Sequence, residues 1–133
     1  MLKLEIVTPE KRVLEAEVDS VTVPTATGEA GILPNHASLI SELKPGVLTY
    51  TAKGATDKLA VTGGFVEVND NKVAVLADSA ETVEEINVET AKSERDAAEK
   101  ELAASAAAPV EETEAIRQRI DAANAKLQLA AGK

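Results

Sequence analysis

A change of residue grammar near position 83 narrows the fold more than any other feature of this chain. Before it, apolar and polar residues alternate in short runs: Leu2, Leu4 and Ile6 with Lys3 and Glu5, and Val21 and Val23 around Thr22. A period of two puts every second side chain on one face, as in a half-buried strand. Leu39, Ser41 and Leu43 form another such run, which is expected to turn at Lys44-Pro45-Gly46 and return along residues 47–51. A polar turn at Gly54-Ala55-Thr56-Asp57 precedes a strand over 59–62. The sharpest hairpin runs Phe65-Val66-Glu67-Val68, turns at Asn69-Asp70-Asn71, and returns through Lys72-Val73-Ala74-Val75-Leu76. Asn and Asp tolerate the left-handed conformations that tight turns need. Six of the seven glycines and four of the five prolines lie in this part. Many short strands with frequent turns predict an all-β sandwich or barrel.

Beyond residue 83 Val, Thr and Gly give way to Ala, Glu, Lys and Arg, the stronger helix formers. The first helix runs from about Val88 to Ala104. Two starts compete for it: Asn87 as an N-cap, and Thr82-Val83-Glu84-Glu85 as a capping box. Residues 103–108 are almost pure alanine, and Pro109 then interrupts the helical run. A second helix opens near Val110, where Glu111, Glu112 and Glu114 suit the positive end of its dipole. Its apolar residues Ile116, Ile120, Ala123, Leu127 and Ala130 step by four, three, four and three, which makes one seam facing a neighbour. The first helix offers Val88, Ala91, Ala98 and Leu102, interrupted by Arg95. An antiparallel hairpin joins them most simply. Alanine lets helices approach closely but removes little apolar area from water, so this hairpin is marginal unless it docks on something. The expected architecture is a β-sandwich domain over 1–82 followed by a helical hairpin over 83–133. A cut after about Asp78 is expected to leave the β domain folded.

Composition excludes several function classes. At 133 residues the chain has room for one domain, or a small domain with an appendage. Its 23 acidic against 14 basic residues give a net charge of −9, which argues against a nucleic-acid partner. The absence of cysteine removes disulfides, thiolate metal sites and cysteine nucleophiles. Met1-Leu2-Lys3-Leu4-Glu5 shows no secretory signal, and no run of eighteen apolar residues exists. Membrane contact therefore has to come through partners. With one histidine, no Gly-x-Ser-x-Gly and no phosphate-binding loop, an enzyme reading is poor, and no metal or cofactor is indicated. Asp96 with Lys100 and Glu114 with Arg117 read as solvated helical pairs.

The segment Gly28-Glu29-Ala30-Gly31-Ile32-Leu33-Pro34-Asn35-His36 places two glycines, a proline and the only histidine in nine residues. Glycine reaches φ > 0 and proline fixes φ near −65°, so the cluster specifies one backbone shape. Alone it reads as a well-defined turn, with His36 a structural residue bonded to backbone. Joined by Lys44-Pro45-Gly46-Val47 and Gly63-Gly64-Phe65-Val66-Glu67-Val68, in that order and spacing, it resembles the ε subunit of F-type ATP synthases. The resemblance runs through Ala77 and, more loosely, over the whole chain.

That resemblance implies a non-catalytic rotor-stalk subunit, held peripherally at the cytoplasmic face of the bacterial cell membrane. It implies a β domain lying against the γ subunit and the ring of c subunits. The helical arm would fold on that domain or extend toward the catalytic α and β subunits and block ATP hydrolysis. Gly28, Glu29, Gly31, Pro34 and His36 become the expected c-ring and γ contact, with Glu29 meeting the polar c-ring loops. Arg117, Arg119 and Lys126 are the cations offered to the catalytic subunits. Some family members hold ATP through Ile-Asp-x-x-Arg-Ala at the start of the first helix. Here Ile86-Asn87-Val88-Glu89-Thr90-Ala91 has Asn87 for the acid and Thr90 for the guanidinium, which removes the bidentate phosphate partner. The expectation is no bound nucleotide. Composition and periodicity alone fit an alternative equally well: a free-standing adaptor, with a β-sandwich binding module and a helical recruiting arm.

Overall fold

Strand-forming residues in the first part and helix formers in the second give two unlike layers in the computed structural model, which describes residues 1–131. The strands are β1 (Leu2–Val7), β2 (Arg12–Val18), β3 (Ser20–Thr25), β4 (Gly28–Ile32), β5 (Leu39–Glu42), β6 (Gly46–Ala52), β7 (Ala55–Asn69) and β8 (Lys72–Thr82). A short 3₁₀ turn (Val83–Glu85) leads to α1 (Val88–Ala104) and α2 (Val110–Ala131). The strands form a β-sandwich, hydrogen-bonded in the order β2-β1-β8-β7-β6-β3-β4, with β5 also on β7. Pairing is antiparallel except between β1 and β8, which run parallel from Lys3 opposite Lys72 to Val7 opposite Leu76. Its core is aliphatic, built on residues such as Leu4, Ile6, Val21, Ile32, Leu48, Val61, Val66 and Val75.

The long strand β7 organises the sandwich. One of its edges pairs with β8 from Leu59 opposite Thr82 to Asn69 opposite Lys72. Its other edge is shared end to end by β6, which takes Ala55 to Val61, and β5, which takes Phe65 to Val68. Residues 39–43 therefore do not fold back on 47–51 as a hairpin. The interval between the two partners falls at Gly63 and Gly64, whose φ values are +56° and +98°. Core-facing residues are odd-numbered before the glycines (Leu59, Val61) and even-numbered after them (Val66, Val68). Two residues in conformations closed to most L side chains rotate the strand, so one strand lines the core on both sides of the kink.

Two tight turns follow the expected chemistry with shifted bounds. Asp70 and Asn71, at φ +49° and +60°, connect the β7–β8 pair as a two-residue turn. Lys53 and Gly54, at φ +51° and +80°, do the same between β6 and β7. The turn expected over 54–57 is thus shorter and earlier, and Ala55, Thr56 and Asp57 are paired strand residues.

Both helix-start signals are used, one after the other. The backbone N–H and hydroxyl of Thr82 each donate to Glu85 Oε1 at 3.0 Å, which sets the 3₁₀ turn. Asn87 Oδ1 then accepts from the Thr90 N–H at 3.0 Å and caps α1. The seam between the helices is partly as expected. Ala91 and Ala98 of α1 and Ile116 and Ala123 of α2 are buried, with Thr113. Ile120 and Leu127 are only half-buried, and Val88 is 39 % exposed because it lies outside the seam at the first turn.

A second apolar face on α2 escaped the sequence reading. Ala125 and Leu129 are buried too, and at 100° per residue they stand about 120–180° round the helix from Ile116 and Ala123. Helix α2 packs on β6 and β7 as well as on α1, so it is the middle layer of the arm. Ala60 of β7 is buried although it stands outside the sandwich core cluster, on the sheet side that α2 covers. The arm is docked. The β domain also extends past Asp78: Ala80 belongs to its core cluster and Thr82 pairs with Leu59. A cut at Asp78 would remove the end of β8.

Candidate functional site

The nine-residue segment around Glu29 resolves into a strand and a turn. Gly28, Glu29 and Gly31 lie on β4, which pairs with β3 from Thr25 opposite Gly28 to Val21 opposite Ile32. The Thr25 hydroxyl donates to the Gly28 carbonyl and closes the connecting loop. Glu29 stands exposed one residue from that loop, on the strand that ends the sheet order. Pro34 and His36 belong to the turn at the other end of β4. There the His36 N–H donates to the Leu33 carbonyl at 3.1 Å, with Pro34 second and Asn35, at φ +68°, third. Proline followed by a left-handed residue is the chemistry of a type II turn. His36 Nδ1 lies 2.6 Å from the Ala37 carbonyl oxygen, which can only accept, so the ring donates and is oriented by the backbone of the next residue.

The Pro34 turn is anchored on the β7–β8 hairpin. The Asn35 N–H donates to Asn71 Oδ1 at 2.6 Å, and Ser38 Oγ donates to Asn69 Oδ1 at 3.2 Å. A five-residue strand spans roughly 15 Å, so the Glu29 loop and the His36 turn form two separate contact points.

The sandwich carries an apolar surface that the sequence reading did not isolate. Phe65, the only phenylalanine, is 56 % exposed, Leu76 53 % and Ile40 74 %. Phe65 is directly opposite Leu76, and Ile40 sits diagonally from Phe65 on β5. Direct and diagonal cross-strand neighbours lie within reach of one another, so these three large side chains stand together on one side of the sheet. Glu42, opposite Phe65, and Glu67, opposite Ile40, share the strand face. The signal was legible: if Val66 and Val68 point inward, Phe65 and Glu67 must point out.

The cations of α2 are already engaged in the docked arm. Arg117 donates to the Val110 carbonyl at 2.8 Å, and Arg119 lies 2.7 Å from Glu101 of α1. Lys126 lies 2.9 Å from Glu81 of β8 and 4.0 Å from Glu94 of α1. In the degenerate nucleotide motif Ile86 is half-buried, the Asn87 oxygen is spent on the cap, Thr90 is exposed and Ala91 is buried.

A cavity of about 420 Å³ separates the end of α2 from the sandwich, with Tyr50, Asp57, Lys58, Glu84 and Leu129 among its walls. Burial pushes the Tyr50 phenol above its ordinary range, and the Asp57 carboxylate across the strand pair adds to the rise. No helix of the described residues is long and apolar enough to cross a membrane.

Comparison with known proteins agrees with this layout. The β-sandwich domain of the ATP synthase delta/epsilon chain matches residues 1–83. An ATP synthase epsilon chain of Carboxydothermus hydrogenoformans is 52 % identical over 102 residues, covering 77 % of this chain and 76 % of that one. Another from Nitratidesulfovibrio vulgaris is 44 % identical over 128 residues, covering 96 % of this chain and 87 % of its own, so its likeness extends through both helices. Among solved structures, a chain of the Euglena gracilis mitochondrial ATP synthase (OSCP/F1/c-ring) superposes with a TM-score of 0.78 at 26 % identity, over 98 % of this chain and 81 % of that one. Sandwich, helices and relatives agree: the chain belongs to the ATP synthase epsilon chain family, the ε subunits of the F-type central stalk.

Proposed function

We propose that this chain is the non-catalytic link between the γ subunit and the c ring, and that it couples proton flow to ATP synthesis. The observation that carries this reading is the patch of Ile40, Phe65 and Leu76, apolar surface that a rotor partner would cover. We assign that face, with the nearby Pro34–His36 turn, to γ. Gly28, Glu29 and Gly31 at the far end of β4 are assigned to the polar loops of the c ring. Membrane attachment is then peripheral, through the complex, on the cytoplasmic face of a bacterial membrane. The sandwich of residues 1–82 is the coupling unit and the arm of 83–133 the regulatory one. An arm lifted from the sandwich reaches the catalytic α and β subunits and restrains hydrolysis, with Arg117, Arg119 and Lys126 freed for acidic surfaces. No nucleotide enters this reading, because residues 86–91 offer a cap and a threonine where phosphate needs a guanidinium.

The test is assembly. Phe65→Glu places a charge at the centre of the patch, where loss of an aromatic anchor typically costs about 2 kcal/mol or more, roughly thirtyfold in affinity. Co-purification with γ should fall by that order while the isolated variant keeps its fold, since Phe65 is already exposed. Undiminished co-purification would remove the face from γ. A wild-type chain that never travels with α, β and γ would favour the free-standing adaptor.

A further inference from the structure

Lys126 occupies an unusual place for a cation in this chain. Its Nζ reaches Glu81 on β8 and Glu94 on α1 from a position on α2, so one ammonium ties together the three elements of the joint. Its side chain is only 19 % exposed and that of Glu81 28 %. Every other cation in an ion pair among the described residues is at least 33 % exposed. No other ion pair among those residues joins either helix to a strand. Glu81 lies opposite Ala60 in the β7–β8 pair, on the stretch of sheet beneath α2. Ion pairs of this kind, partly withdrawn from water, are screened less and weigh more than exposed ones.

The surroundings sharpen the point. The other buried residues of this face of α2, Ala125 and Leu129, give apolar contact without charge or direction. Without the ammonium, Glu81 and Glu94 would meet across the joint as two carboxylates with no counter-charge between them. One residue therefore converts repulsion into attraction.

We propose that Lys126 is the latch of the helical arm, and that its ion pair with Glu81 sets how often α2 leaves the sandwich. The latch rests on the reading of the arm as a movable element, but it is measured in the isolated full-length chain, apart from any inhibition of hydrolysis. Its failure is thus distinguishable from failure of that reading.

The chain contains no cysteine, so a single introduced thiol reports opening without background. Ala125→Cys puts it at a site 5 % exposed on the sandwich-facing side of α2. Its rate of modification by an aromatic disulfide reagent then follows the undocked fraction. Adding Lys126→Gln should raise the rate about tenfold, between the weight of an exposed and a buried pair. Glu81→Gln should raise it from the other side. Lys126→Met keeps the apolar stem and loses the charge, so it should open the arm like glutamine. Exchange of both charges, Glu81→Lys with Lys126→Glu, should return most of the protection. An unchanged rate with Lys126→Gln overturns the latch. A wild-type rate with Lys126→Met overturns it as well, because packing of the stem would then hold the arm.

Discussion

Gly64 shows how tightly one residue can bind sequence to fold. A Cβ there would overlap the Leu76 carbonyl oxygen and come within 2.9 Å of the Ala77 Cα, both backbone atoms of the adjoining strand. Its φ of +98° is closed to alanine as well. Gly64→Ala is therefore expected to lose about 3 kcal/mol or more, read as a drop in urea midpoint with an unchanged slope. Tyr50 is the residue-scale probe of the arm. Its phenol is raised by burial first and by Asp57 second, so folding favours the neutral ring. The resulting stabilisation is complete below the unfolded value near 10 and is lost as pH rises through the higher folded value. Absorbance of the single tyrosine, in a chain without tryptophan, should titrate with a midpoint above 10. A midpoint at the free-phenol value would mean that the ring is not shielded.

The elements divide into those that local chemistry wrote and those that only the assembled fold could reveal. Asn87, Pro109 and the Asp70-Asn71 turn act within a few residues of themselves, and each stands within a residue of where the sequence put it. The sequence pattern predicts separate strands over 59–62 and 65–68, where the fold has one strand from 55 to 69. In the fold Gly63-Gly64 is a rotation within that strand, and knowing that requires knowing that β5 and β6 share one edge. The second face of α2 was hidden for a related reason. Apolar residues on two opposite sides cancel as a helical pattern, so the period pointed to a single seam. Of the surface assigned to partners, the Gly and Pro signals were legible. The outward phase of Phe65 was legible from Val66 and Val68, but the patch was not, because only the pairing of β5 and β8 on β7 brings Ile40 and Leu76 beside it. These bounds fix where the arm can be removed. Ending the chain after Glu85 keeps Ala80, Thr82 and the 3₁₀ turn, and should leave a cooperative thermal transition. Ending it after Asp78 should lower that transition by several degrees, about what 1–2 kcal/mol represents in a domain this small. Equal transitions would mean that the end of β8 contributes nothing.

Across the whole molecule, the assigned contacts lie apart. The Glu29 loop, the Phe65 patch and the docked arm occupy different parts of the sandwich. A change at one should leave the other two working. Glu29→Lys is expected to lower proton-driven ATP synthesis in vesicles several-fold, while the soluble ATPase activity of the assembled complex stays nearly intact. Unchanged synthesis with normal assembly would sink the c-ring placement of Glu29. The two-faced helix has a final consequence. If the arm moves as proposed, Ala125 and Leu129 come into water unless another surface takes them, so its movement would be an exchange of neighbours. A subunit made in excess of its complex would meet no replacement neighbour and would open only rarely. Its conformation would then register stoichiometry: mostly closed while solitary, open chiefly in company.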